Sequence, residues 1–156
     1  MEVAYFQTPI GFAELKGDEH GLASIKVLDE TRPIDIIPEV LEDAVYQFQE
    51  YFDKKRKQFD LKLNPQGTAF QKKVWQELQE IPFGKTVSYL ELSKTLGDPK
   101  AIRAVAAANG KNPLWIVVPC HRVIGSNGDL VGYAGGLSRK KWLLDFESPV
   151  QQQSLF

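Results

Sequence analysis

Three short runs of apolar residues, at positions 5–6, 12–15 and 22–28, are separated by turns that contain glycine. Runs of this length between such turns are typical of a β-meander. After Pro38 the spacing changes to the period of a helix, with apolar residues at Leu41, Ala44, Val45, Phe48 and Phe52. We therefore predict a small antiparallel sheet followed by one amphipathic helix, which the proline begins.

A second helical region follows position 67. Thr68 and Gln71 have the spacing of a capping box, and an apolar stripe continues through Phe70, Val74, Leu78 and Ile81. Between the two regions, residues 64–67 read Asn-Pro-Gln-Gly, which is typical of a linker. We therefore predict an α+β protein with an N-terminal α/β domain over residues 1–66, a C-terminal domain over residues 67–149 and a flexible tail over residues 150–156.

Two short helices are predicted inside the C-terminal domain. Ser88 and Glu91 form a second capping box, and the helix that they begin should end at Gly97. Residues 98–99, Asp-Pro, start another helix at once. Short helices joined by a tight glycine turn have the build of a helix-turn-helix, here of the winged-helix-like kind, although helix pairs in bundle cores share the spacing.

The distribution of charge favours a polyanionic partner. The formal net charge is −1, but residues 1–66 carry 8 basic and 13 acidic side chains, whereas residues 67–156 carry 11 basic and 7 acidic ones. Arg103 lies in the first turns of the second helix, where helix-turn-helix proteins place DNA contacts, and Ala104 and Ala107 leave room for a close approach. A solvated basic face and simple helix propensity explain the same features without DNA.

Cys120, the one cysteine of the chain, follows a continuous apolar run over residues 114–118 and a proline. We expect the run to be a buried extended segment, and Pro119 to force a rigid exit that fixes the direction of the thiol. His121 and Arg122 come next, and both favour a thiolate, the nucleophilic form of cysteine. The alternative is a buried structural cysteine. With one cysteine and two histidines, the chain offers no internal disulfide and no zinc site.

The residues around this cysteine resemble a known active site. Residues 119–123, Pro-Cys-His-Arg-Val, resemble the signature of the O6-alkylguanine-DNA alkyltransferases, the methylated-DNA–protein-cysteine methyltransferases. Further matches in the family's order and spacing extend the resemblance over residues 68–147, at Tyr89, Arg103, Asn112, Tyr133, Lys140 and Glu147. Residues 1–66 look like the N-terminal domain of the same family.

The resemblance implies direct-reversal DNA repair. Cys120 would take the alkyl (methyl) group from O6-alkylguanine in a flipped-out base, in an irreversible transfer that consumes the protein; O4-alkylthymine is left open as a second substrate. His121 would act on the thiol through an ordered water, with Glu147 orienting the imidazole. Because no glycine-rich nucleotide motif or metal cluster is evident in the sequence, we expect no S-adenosylmethionine, no other cofactor and no metal.

The resemblance also assigns the residues that would hold the DNA. Tyr89 would crowd the phosphate beside the target and contact the flipped base, and Arg103 would fill the vacated stack. The expected DNA-binding residues are Tyr89, Arg103, Ala104, Ala107 and Arg122. The expected substrate pocket comprises Asn112, Val123, Tyr133, Ala134 and Lys140. Within it, Asn112 would tie the helix pair to the active-site segment, and Ala134 would offer only its backbone N–H where some relatives have serine.

The last residues of the chain carry a weaker signal. Gln152, Leu155 and Phe156 resemble the short peptide by which bacterial proteins dock on the replication sliding clamp, although a frayed end is the simpler interpretation. The first residues lack the basic flank and apolar core of a secretory signal, and no apolar run is long enough to span a membrane. We expect a cytoplasmic monomer that is nucleoid-associated when it is engaged on double-stranded DNA.

Two other functions compete with alkyl transfer. A non-catalytic lesion sensor would bind alkylated DNA and recruit other factors, but relatives of that kind replace the reactive cysteine, commonly by tryptophan, whereas Cys120 is intact. A cysteine hydrolase would use Cys120 with His121, but adjacent residues rarely form a hydrolytic dyad and no oxyanion-hole motif is evident. Alkyl transfer is the function that we predict.

Overall fold

The computed structural model has an α+β fold whose backbone divides into two compact units. It describes residues 1–33, 36–125, 128, 133 and 135–149. The first unit comprises Met1–Gln66 together with Pro113–Val117, and the second comprises Gly67–Asn112 together with the chain from Val118 onward. Across these described ranges, every helix falls short of the length and apolar character that a membrane crossing requires.

The first unit contains the predicted meander and helix. Strands β1 (Glu2–Thr8), β2 (Gly11–Asp18) and β3 (Gly21–Leu28) form an antiparallel sheet in the order β1-β2-β3. Helix α1 (Glu39–Phe52) follows Pro38 and packs against β1 and β2. The sheet and helix thus cover each other's apolar faces, which is the way a small α+β core is closed.

Aromatic side chains fill the core of the first unit. The Phe48 ring lies 5.5 Å from that of Phe6 and 5.0 Å from that of Phe59, measured between centroids. Of the predicted stripe on α1, Leu41, Ala44, Val45 and Phe48 are buried. Phe52, the last residue of that stripe, is partly buried, and its neighbour Tyr51 is fully buried at this end of the helix.

Residues 113–117 belong to the first unit, although the sequence places them inside the C-terminal domain. The backbone of Ile25 joins them to β3: its N–H donates to Pro113 O at 2.8 Å, and its carbonyl accepts from Trp115 N at 3.2 Å. The run is buried as expected, but it is not extended throughout. Ile116 has φ +70°, and Val117 N donates to Trp115 O at 2.8 Å, so the chain makes a γ-turn that is strained for a β-branched residue.

The second unit is mainly helical. Its elements are α2 (Ala69–Leu78), β4 (Val87–Ser88), α3 (Tyr89–Thr95), α4 (Ile102–Gly110), β5 (Val123–Ile124) and α5 (Leu137–Glu147). Both predicted capping boxes are present, at the starts of α2 and α3. Helix α2 packs against α4. The expectation that Phe70 is buried was wrong, since it is 41% exposed, and Trp75 is buried instead with its Nε1 donating to Ala108 O at 2.8 Å.

Helices α3 and α4 form the predicted helix-turn-helix. Gly97, with φ +91°, ends the first helix in the left-handed conformation that glycine adopts without strain. A 3-10 turn over Pro99–Ala101 then leads into α4, and the Asp98 side chain caps it by accepting from Lys100 N at 3.0 Å. Strands β4 and β5 form a two-stranded parallel ladder that joins the start of α3 to the segment after Cys120.

Candidate active site

Cys120 follows a tight turn that proline stabilises. Pro119 has φ −81° and ψ 64°, and Cys120 N donates to Val118 O at 2.8 Å, which is the geometry of an inverse γ-turn. The ring of proline holds φ near the value that this turn needs. A single 3-10 turn over Cys120–Arg122 follows and leads into β5. The cysteine, which is 7% exposed, is therefore held at a fixed corner of the backbone.

Asn112 holds this corner from the end of α4. Its Nδ2 donates to Val118 O at 2.7 Å, and its side chain also hydrogen-bonds the Cys120 thiol. Burial raises the pKa of Cys120 above its ordinary value, although the bond from Asn112 and the positive charge of Lys140 act in the opposite direction. Burial therefore favours the thiol at neutral pH, and any stabilisation of the thiolate by His121 and Arg122 has to act against it.

A buried ion cluster lies directly after the cysteine. His121 Nε2 lies 2.9 Å from Glu147 Oε2, at the end of α5. Arg122 donates to both carboxylate oxygens of the same glutamate, through Nε at 2.8 Å and Nη2 at 2.9 Å. The side chains of these three residues are 0–8% exposed. Such a two-pronged arginine–carboxylate pair fixes the orientation of the carboxylate.

The charges of this cluster determine which nitrogen of His121 carries hydrogen. Burial alone would raise the pKa of Glu147, but hydrogen bonds from His121 and Arg122 outweigh it and lower the pKa to about 2. Burial lowers the pKa of His121, so the ring is neutral at pH 7, although Glu147 opposes the shift. An ionised carboxylate can only accept, so Nε2 is the N–H donor and Nδ1 is the acceptor. Nδ1 is buried and has no hydrogen-bond partner among the described residues.

The expectation that Arg122 contacts DNA was wrong. The residue is 7% exposed, and its remaining Nη1 donates to Ile81 O at 2.7 Å. Its guanidinium carbon also lies 5.8 Å from the centre of the Phe83 ring. All three nitrogens of the guanidinium are occupied inside the second unit, so this side chain orders the carboxylate rather than presenting its charge to a duplex.

The remaining pocket residues are placed as follows. Lys140 is fully buried on α5, and its Nζ donates to Val123 O at 2.7 Å. Burial lowers the pKa of this lysine, although the nearby Cys120 opposes the shift. Tyr133 O accepts from Gly136 N at 3.0 Å, in the turn before α5. Ala134 lies outside the described residues.

The other expected DNA-binding residues lie on the two helices of the helix-turn-helix and, unlike Arg122, are partly or fully exposed. Tyr89 is the first residue of α3 and is partly buried. Arg103, Ala104 and Ala107 are all exposed on α4, at helical spacings that put them on one face. This outer face of α4, defined by those three residues, combines a cation with small side chains.

Asn109 is a polar residue near the site that the sequence did not single out. It is 2% exposed, and its Nδ2 lies 3.4 Å from the Tyr89 hydroxyl and 3.5 Å from Cys120 O. A signal was present in the sequence, because asparagine has lower helix propensity than the alanines that precede it. The position therefore favoured a specific contact over simple helix formation.

Fold and site together define a helix-turn-helix protein built around one buried cysteine. Residues 1–65 match the ribonuclease-like domain of 6-O-methylguanine DNA methyltransferase, and residues 69–149 match the DNA binding domain of the same family. These matches cover nearly the whole chain, which therefore belongs to the 6-O-methylguanine DNA methyltransferase family.

Individual relatives agree with this assignment. A methylated-DNA–protein-cysteine methyltransferase of Methanosarcina acetivorans is 47% identical over 153 residues, which are 94% of this chain and 98% of the relative. The crystal structure of a Mycobacterium tuberculosis O6-methylguanine methyltransferase is similar at a TM-score of 0.83, with 39% identity over 99% of this chain and 100% of that one. A crystal structure of Mycobacterium tuberculosis OGT in complex with DNA also has a TM-score of 0.83, with 40% identity and coverage of 97% and 98%.

Proposed function

We propose that this protein repairs DNA by direct reversal, moving the alkyl group of O6-alkylguanine onto Cys120 in one irreversible turnover. The observation that carries the proposal is a buried thiol, held at a proline corner within a helix-turn-helix unit and followed by a neutral histidine whose Nδ1 can accept a proton. Membership of the 6-O-methylguanine DNA methyltransferase family supports the same reaction.

The reaction is a displacement at the alkyl carbon. The Cys120 sulfur forms a bond to that carbon as the bond between carbon and guanine O6 breaks. The thiol loses one proton and the departing guanine regains one, so no oxidant, reductant or cofactor is needed. The product is a thioether that water does not cleave under mild conditions, and the chain has no second cysteine to accept the group. Each molecule is therefore consumed by one alkyl group.

His121 is proposed as the base, acting through a water molecule on the thiol. The raised pKa of Cys120 means that deprotonation has to accompany transfer, because little thiolate exists beforehand. Neutral His121, whose Nδ1 has no hydrogen-bond partner in the part of the chain that the structure describes, suits this task, and the ionised Glu147 stabilises the imidazolium that forms. Arg122 keeps that carboxylate ionised and oriented.

The target atom of a duplex is hidden in the base stack, so the nucleotide has to be extruded. We propose that Tyr89 contacts the extruded base and that Arg103 enters the stack in its place, since a planar guanidinium can fill the gap between base pairs. The exposure of Arg103 and the small side chains of Ala104 and Ala107 support a close approach of the outer face of α4 to DNA. A minor-groove approach, read mainly through the backbone, would give little sequence preference.

The decisive experiment follows a labelled methyl group. Protein is incubated with duplex that carries labelled O6-methylguanine, and the peptide containing Cys120 is examined for label. We expect one methyl group per protein molecule, and none in Cys120→Ala, which should still bind the duplex. A lesion sensor would bind without acquiring label, and a cysteine hydrolase would turn over esters or amides while its cysteine remained unmodified; either result contradicts the proposal.

Arg103→Ala tests the extrusion step. We expect transfer from duplex to slow by about tenfold or more, the effect of about 1.4 kcal/mol in the barrier, while reaction with the free modified base is unchanged. Lys100→Ala is the matched control, because it removes an exposed cation from the turn before α4. Equal losses on duplex and free base, or no loss on either, would show that Arg103 has another role.

Three further expectations concern partners and location. Gln152, Leu155 and Phe156 lie outside the described residues, and their proposed contact with a sliding clamp depends on the sequence alone. Removal of the last five residues should abolish retention on an immobilised clamp, and equal retention would contradict the contact.

We also propose that the protein acts as a monomer in the cytoplasm, associated with the nucleoid while it is engaged, which light scattering and imaging of a tagged chain can test.

A further inference from the structure

Asn109 has no task in the reaction described so far, although it reaches two of its participants. The residue lies on α4 and is 2% exposed. Its Nδ2 lies 3.4 Å from the Tyr89 hydroxyl and 3.5 Å from the carbonyl oxygen of Cys120. One amide group thus touches both the side chain proposed to contact the base and the backbone of the reactive residue.

The same amide is incompletely satisfied. Both distances are long for hydrogen bonds, and Oδ1 is buried without a hydrogen-bond partner among the described residues. A buried amide in this condition lowers stability, and asparagine is also a weaker helix former than leucine. A leucine of similar size would therefore suit the fold of α4 at least as well. Residues that fit the local fold less well than an alternative would are often found at functional positions.

Asn112, three residues further on, contacts the same backbone corner at a different carbonyl oxygen. It hydrogen-bonds Val118 O and the Cys120 thiol, so it holds the corner itself. Asn109 differs because it adds Tyr89 to its contacts. The two amides therefore have different contacts: Asn112 fixes the turn, and Asn109 connects the turn to Tyr89, the first residue of α3.

We propose that Asn109 is a positioning residue that couples the Tyr89 hydroxyl to the Cys120 backbone, so that entry of the base and alignment of the thiol occur together. This inference rests on the proposed alkyl transfer. The long distances fit a protein without substrate, because hydrogen bonds of an active site often tighten only when the substrate is bound. Asn109 acts through Tyr89 and touches no reacting atom.

A double-mutant cycle tests the coupling. The rate of methyl transfer from duplex is measured in single turnover for the unaltered protein, Asn109→Leu, Tyr89→Phe and the double variant, with the melting temperature of each. We expect Asn109→Leu to slow transfer by about tenfold in the unaltered background and by less than about twofold beside Tyr89→Phe. Its melting temperature should be unchanged or higher, whereas a purely structural residue would lower it.

Trp75→Phe is the matched control. It removes another buried hydrogen bond to α4, from Trp75 Nε1 to Ala108 O, and that bond involves neither Tyr89 nor Cys120. We expect this variant to melt at a lower temperature and to show no coupling with Tyr89→Phe. A coupling equal to that of Asn109→Leu would mean that any disturbance of α4 has the same effect, and it would overturn the assignment.

The remaining outcomes separate this inference from the function on which it rests. A tenfold loss in both backgrounds, or no loss in either, overturns the role of Asn109 while the unaltered protein still acquires its methyl group. Failure of the unaltered protein to acquire a methyl group overturns the proposed function and this inference with it.

Discussion

The two units of the chain bury different kinds of side chain. Among the described residues of the first unit, the buried polar ones are Thr8 and Gln47, and both are hydrogen-bonded. Those of the second unit are Ser93, Asn109, His121, Arg122, Lys140 and Glu147. Burial of ionisable groups costs free energy unless they are paired. In the second unit, the buried ionisable groups lie close to Cys120, whereas the core of the first unit is almost entirely apolar.

Ion pairs show the same difference on a smaller scale. In the first unit, Arg56 lies 3.0 Å from Glu50, and the two side chains are 25% and 23% exposed. In the second unit, Arg122 lies 2.8 Å from Glu147, with side chains 8% and 2% exposed. The distances are similar, but water screens the first pair and is largely excluded from the second. The exposure of each pair to water, rather than its distance, therefore determines how much it contributes to the free energy of unfolding.

The largest expected effect follows from breaking the buried pair. Arg122→Met removes the positively charged partner of the ionised, buried Glu147 and leaves it beside the neutral His121, so we expect the free energy of unfolding to fall by about 3–5 kcal/mol. Without the arginine the pKa of Glu147 should also rise from about 2. Denaturant unfolding monitored by tryptophan fluorescence measures the stability. Affinity of the folded variant for undamaged duplex should be unchanged, because Arg122 is buried away from solvent.

Arg56→Met is the control in the first unit. It removes the same type of side chain from a partly exposed pair, for which the expected loss is below about 1 kcal/mol. Equal losses in the two variants would contradict the contrast between the units. A loss below about 1 kcal/mol for Arg122→Met would show that its carboxylate is solvated or otherwise satisfied in solution.

A smaller effect is expected from the buried polar group of α1. Gln47 Nε2 donates to Asp60 O at 3.0 Å and its Oε1 accepts from Asp60 N at 2.9 Å, so one side chain satisfies both backbone groups of that residue. Gln47→Leu should lower the free energy of unfolding by about 1–2 kcal/mol. The rate of methyl transfer by the folded protein should not change. A slower transfer in this variant would mean that polar groups of the first unit also serve the reaction.

Local signals in the sequence predicted the elements well. Each capping box depends on residues three positions apart, and the boxes at Thr68 and Ser88 are both present at helix starts. The turns of the meander were likewise marked by glycine and proline. These features could be predicted because the interactions that create them lie within a few residues along the chain.

Features set by distant parts of the chain were missed. The helical period of α2 is compatible with a buried Phe70. It does not show which residues of α2 the neighbouring helix α4 packs against, and in the structure Trp75 is buried whereas Phe70 is exposed. Arg122 was expected to meet DNA because the resemblance assigned Glu147 to His121 alone, and nothing near Arg122 in the sequence indicates that it forms a two-pronged pair with the same carboxylate. The γ-turn at Ile116 was unforeseen, because a β-branched residue rarely adopts a positive φ.

The smallest expected effect concerns pH, and it depends on the buried character of the second unit. Burial lowers the pKa of His121 and raises that of Cys120 from their ordinary values, so the two pKa values move apart and neutral pH lies between them. Arg122, Lys140 and the ionised Glu147 surround the pair. The single-turnover rate of methyl transfer should therefore vary by less than about twofold between pH 6.5 and pH 8.5, and it should fall only at lower pH, where His121 takes up a proton and ceases to be a base. A rate that rose tenfold per pH unit across this window would instead indicate that the buried thiol, whose pKa is raised, loses its proton to the solvent before the transfer step. That result would contradict the role of His121 as the base, which depends on the buried, neutral state of its ring in the second unit.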